Sequence, residues 1–78
     1  MSVADQCRVM GLKVGDTIEG TERAGNWWNT TRLTLLLVGE TWAVWKMTDR
    51  SSVRPQWSVP REATNWTLSF RDWRKINP

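Results

Sequence analysis

Between residues 45 and 61 the chain interleaves indole and guanidinium groups: Trp45, Arg50, Arg54, Trp57 and Arg61. A guanidinium stacks on an indole face by cation–π attraction worth about 0.5–2 kcal/mol. The same two residue types anchor protein interfaces. Aromatic rings beside a basic groove also bind single-stranded nucleic acid by base stacking. Trp27-Trp28 is a second candidate. Neighbours on an extended chain point to opposite sides, so one indole turns inward and the other leans out. The outward one is taken as Trp28, flanked by the loop-like residues Gly25-Asn26 and Asn29-Thr30. The expected recognition surface is Trp28, Trp45, Arg50, Arg54 and Trp57, with Arg61 at its rim. Arg50 and Arg54 flank a serine-rich turn, and Pro55 stiffens the chain beside Trp57. The competing role for Trp45 and Trp57 is inward packing.

Catalytic chemistry has little to work with. The chain has no histidine to serve as general base or to orient a nucleophile. Its one cysteine, Cys7, lies in the loosely held N-terminal arm and is read as incidental. One Cys and no His cannot build a Cys/His zinc site, and an internal disulfide is impossible. The five glycines are dispersed, so no phosphate-binding loop is present. Carboxylates such as Asp16, Glu19 and Glu22 are scattered on one short segment rather than paired across a cleft. A non-enzymatic protein without cofactor or metal is expected.

Something must hold these residues in place, and seven tryptophans in 78 residues set the terms. Each buried indole removes about 150–250 Å² from water. A chain this short is one domain near the lower limit for unaided folding, and it gains most from such residues. A small core can hardly enclose all seven. Net charge is +3, carried by residues 40–78, which hold seven basic and four acidic groups against four of each in residues 1–39. That bias fits a solvated surface, or an anionic partner such as nucleic acid or an acidic protein. No apolar run reaches the ~18 residues needed to span a bilayer. The first residues lack the apolar stretch of a signal peptide. A cytoplasmic location is expected, which makes Asn29-Thr30-Thr31 and Asn65-Trp66-Thr67 chance glycosylation triplets.

Residues 1–9 read as a flexible arm or one helical turn, and residues 10–78 as a single β domain. Thr17 to Thr21 alternates like a strand, with Ile18 inward, and Ala24-Gly25-Asn26 is a break. Thr31 to Val38 and Thr41 to Met47 flank Gly39-Glu40, which suits a two-residue hairpin turn. That turn pairs Leu37 with Trp42, Leu35 with Val44 and Leu33 with Lys46 on the core face. It leaves Leu36, Trp45 and Met47 on the second face, surplus apolar surface for a partner or for a homodimer. Val53 to Val59 is a short extended stretch limited to an edge by Pro55. Pro60 to Ala63 could make one helical turn. Trp66, Leu68 and Phe70 alternate as a half-buried strand. The sum is an all-β fold of about five strands, a strongly bent antiparallel sheet or an SH3-like barrel. Its expected core is Ile18, Leu33, Leu35, Leu37, Trp42, Val44, Trp66, Leu68 and Phe70.

The stretches LKVGDTIEGTERAGNWW and NWTLSFRDWRKI resemble small proteins of tailed bacteriophages, in families of unknown function. The resemblance spans Leu12 to Ile76 and rests on a Val-Gly-Asp-x-Ile-Glu-Gly opening and a Trp-rich end. It implies a phage-encoded inhibitor or modulator that binds a bacterial host protein, such as a defence, nuclease or transcription component. It carries over no residue roles. The expected function is thus a protein-binding module acting through its Trp/Arg surface. The alternative is a small nucleic-acid-binding barrel that uses aromatic stacking and a basic groove.

Overall fold

Gly25 and Asn26 make the two-residue turn between the first two strands, with Gly25 at φ 62°. A glycine at the first central position takes that positive φ without a Cβ clash. The computed structural model describes residues 2–65, 68 and 72–76. Its elements are α1 (Val3–Val9), β1 (Thr17–Ala24), β2 (Trp27–Val38), β3 (Ala43–Ser51), β4 (Arg61–Thr64) and β5 (Arg74–Ile76). All strand pairs are antiparallel, in the order β4-β3-β2-β1-β5. They form one strongly bent sheet that does not close, so the fold is the bent sheet of a small all-β domain.

The β2–β3 hairpin differs from its expected register. The connection is Gly39 to Trp42, closed by the Gly39 N–H donating to the Trp42 carbonyl at 2.8 Å. Val38 pairs with Ala43, and a bulge at Leu36 then shifts the ladder to Leu35 with Trp45 and Leu33 with Met47. A glycine is needed at this turn because the Trp42 ring lies across it. A Cβ on Gly39 would sit 2.2 Å from Trp42 Cε2. Side chains alternate between faces along a strand, so a slip of one residue exchanges the faces. Trp45 and Met47 therefore turn inward with Leu33 and Leu35.

The core is Ile18, Leu33, Leu35, Ala43, Trp45 and Met47, joined by Cys7 of α1. Of the expected core, Ile18, Leu33 and Leu35 are fully buried, Val44 is half-buried, and Leu68 packs partly buried against the cluster. Leu37 and Trp42 are instead 57% and 43% exposed, a consequence of the register. Trp66, Phe70 and most of the strand expected around them lie outside the described residues. Residues 61–64 form the edge strand β4 rather than a helical turn. Pairing with β3 gives their backbone groups ladder partners.

The segment expected as a flexible arm, or as one helical turn, is the helix α1. Ser2 caps it: the Asp5 N–H donates to Ser2 Oγ at 3.1 Å, and the Ser2 N–H donates to Asp5 Oδ2 at 3.3 Å. Those two bonds form a capping box. Ala4 and Cys7, one turn apart, are buried. Arg8 donates to the carbonyls of Gly39 at 3.1 Å and Glu40 at 3.3 Å, which ties the helix to the β2–β3 turn. At the other edge of the sheet, Asp16 accepts from the Lys13 N–H at 2.8 Å and pairs with Lys75 of β5 at 3.1 Å.

Candidate binding face

With one sheet face given to the core, the other is fixed by alternation. On β2 it carries Trp28, Thr30, Arg32 and Thr34, on β1 Thr17, Glu19, Thr21 and Arg23, and on β3 Lys46, Thr48 and Arg50. Glu62 of β4 and Arg74 of β5 complete the charged set. Among the described strand residues this face holds five basic and two acidic side chains, a surplus of three positive charges. Threonines occupy much of the floor. Thr17 and Thr34 share a hydroxyl hydrogen bond of 2.8 Å, and Thr21 and Thr30 one of 2.9 Å. β-branched residues suit such cross-strand positions.

Trp57 reaches this face from the β3–β4 connection. Two bonds hold that segment against β3: Ser58 N–H to the Asp49 carbonyl at 2.8 Å, and Asp49 N–H to Ser58 Oγ at 3.0 Å. Arg32 then lies over the Trp57 ring, its Cζ 4.3 Å from the centroid. Arg50 is shared between two indoles, 5.3 Å from the Trp28 centroid and 5.6 Å from that of Trp57. The Nε atoms of Arg32 and Arg50 are buried and find no hydrogen-bond acceptor among the described residues. Glu19 Oε2 lies 3.8 Å from Arg32 Nε. Arg23 and Arg50 have no carboxylate within ion-pair distance among the described residues.

The structure thus gathers Trp28, Arg50 and Trp57, three of the six residues the sequence singled out. Trp28 sits near the start of β2, and Trp27 points to the opposite side as expected, but Trp27 is 38% exposed rather than packed inward. Trp45 does not belong to the set. It is 0% exposed on the core face, because the hairpin register differs by one. Arg54 is exposed beside the cluster, in a shallow recess with Asn29, Asp49 and Arg50. Arg61 pairs with Asp49 at 3.0 Å and stands at the rim. Arg23, Arg32 and Glu19 were missed. Their signal was present: a two-residue turn at Gly25-Asn26 already pairs Trp28 with Arg23 and Arg32 with Glu19. The surplus apolar surface lies at the hairpin end, on Leu36, Leu37, Val38 and Trp42, not on Trp45 and Met47.

A family model described as "Domain of unknown function (DUF7241)" matches residues 1–78. The chain belongs to DUF7241. No curated protein and no solved structure matches it. The DUF7241 description states no activity and no partner, so the chemistry rests on the residues themselves. Among the described residues of this DUF7241 chain, no group of three His, Cys, Asp or Glu side chains could hold a metal ion. Burial pushes the Cys7 thiol above its ordinary range, which keeps it protonated and unreactive. None of the described helices is long and apolar enough to cross a membrane.

Proposed function

We propose that the chain is a non-enzymatic protein-binding module whose partner docks on the grooved, basic sheet face. The observation that carries this reading is Arg50. It is held by two indoles on an outward face and has no carboxylate partner among the described residues. An indole that already orients a guanidinium lowers the entropy lost when a partner engages it. Arg and Trp are also the residue types that dominate interface energetics. The resemblance to small tailed-phage proteins extends the proposal to a bacterial host protein in the cytoplasm as the partner.

The positive surplus on the same face favours a second reading, single-stranded nucleic acid. Against it, Trp57 already has two guanidinium groups on it and Trp28 has one, which leaves little open ring for bases. Affinity capture from nuclease-treated bacterial lysate separates the two. A specific protein should be recovered and should survive moderate salt. Trp57→Ala should weaken its binding by about 2–4 kcal/mol, while the thermal unfolding midpoint falls far less than in Trp45→Ala, since Trp57 lies outside the core cluster. Recovery of nucleic acid alone from untreated lysate, lost over 10³-fold at moderate salt, would make the second reading the correct one.

A further inference from the structure

The hollows of the outward face adjoin one another through shared lining residues. A recess of about 250 Å³ lies between Trp28 and Trp57, with Arg23, Arg32 and Arg50 on its walls. It shares Glu19 and Arg32 with a groove of about 630 Å³ floored by Thr17, Thr34 and Thr48. That groove shares Lys46 and Pro60 with a third hollow, next to Leu36 and Glu62. The result is a row of adjoining hollows across the strands, lined by Arg23, Arg32, Arg50, Lys46 and Arg61 against Glu19 and Glu62.

We infer that the partner is read as an extended acidic peptide segment, one of whose carboxylates seats against Arg50 and Arg23 in the recess between Trp28 and Trp57. This deepens the protein-binding reading and rests on it. Charge decides the ligand. Glu19 already faces Arg32 at 3.8 Å, so Arg50 and Arg23 are the cations of the recess without a carboxylate partner among the described residues. Thr17 and Thr34 already share one hydroxyl hydrogen bond on the floor, so the charged groups are the strongest determinants of the ligand. A guanidinium fork fits a carboxylate well. A phosphodiester chain fits less well: it carries a charge at every nucleotide and would pass both Glu19 and Glu62. A peptide can space its acids to meet Arg50, Arg23 and Lys46 and place neutral residues opposite the carboxylates.

Fluorescence anisotropy on the full chain tests this at low salt. The probes are a labelled ten-residue peptide with Glu at alternate positions, its Gln counterpart, and ten-nucleotide oligo(dT). The Glu peptide should bind at least tenfold tighter than the Gln peptide. Arg50→Gln should lose about tenfold or more, while Lys13→Gln, on the exposed turn before β1, changes little. Thermal unfolding of both variants checks that they fold. Equal loss in the two variants would mean diffuse attraction to net charge and would overturn the inference. Tighter binding of oligo(dT) than of the Glu peptide, sensitive to Arg50→Gln, would overturn it together with the protein-binding reading. If neither probe binds up to millimolar concentration, yet capture of a protein from lysate still depends on Trp57, the acidic-segment inference falls and the protein-binding reading stands.

Discussion

Trp45→Ala removes most of the stability of this domain. Trp45 is the largest of the fully buried side chains among the described residues, and it is flanked across the strands by Leu35 and Ala63. Truncating a buried aromatic to alanine costs about 3–5 kcal/mol, through lost transfer free energy and the cavity left behind. Whole domains hold only about 5–15 kcal/mol, and one of this size stands at the lower end. Trp45→Phe should cost clearly less. It keeps much of the ring volume and removes Nε1, a buried donor with no acceptor among the described residues. Urea unfolding of the three proteins checks both statements. A Trp45→Ala variant with the parental midpoint would mean that the indole is not a core residue and that the hairpin register is wrong.

Arg50→Glu has the opposite profile. Binding of the captured protein partner should weaken by about 2–5 kcal/mol, since a like charge replaces the cation at the centre of the contact. That is a loss of roughly thirtyfold to several thousandfold. Stability should change little by comparison. Arg50 lies outside the core, and its contacts with Trp28 and Trp57 are cation–π stacks worth about 0.5–1 kcal/mol each at exposed sites. In a domain of this size about 1 kcal/mol moves the melting midpoint by roughly 4–8 °C. Isothermal titration and a thermal scan on one preparation measure both effects. Unchanged affinity in a folded Arg50→Glu protein would remove this face from the interface.

The two variants divide along a line that the sequence drew in the wrong place. Trp45 and Arg50 belong to one Trp/Arg run, and nothing in their types tells the core residue from the surface one. Register tells them apart, and register depended on the turn. Gly39-Glu40 has the look of a two-residue hairpin turn, but the chain closes over Gly39 to Trp42 and then bulges at Leu36. The Trp42 ring resting on Gly39 is a contact that pattern alone does not reveal. The β1–β2 hairpin was more legible, because Gly25-Asn26 is a two-residue turn in fact. Carrying that register through would have placed Arg32, Arg23 and Glu19 beside Trp28. The helix was also written in the chain, as Ser2 three residues before Asp5 and Ala4 three before Cys7. An aspartate where the capping box commonly has Glu or Gln, and a span of only two turns, made that signal faint.

The claim that the partner docks on the Arg/Trp face is tested most directly by the indole N–H signals of the folded chain in a two-dimensional nitrogen–proton spectrum. Each of the seven tryptophans contributes one such signal, assigned by single Trp→Phe variants. On addition of the captured protein partner, the signals of Trp28 and Trp57 should shift or broaden, while that of the buried Trp45 holds its position. If Trp28 and Trp57 stay unchanged and the response falls on Trp42 at the hairpin end, the partner binds elsewhere and the account is contradicted.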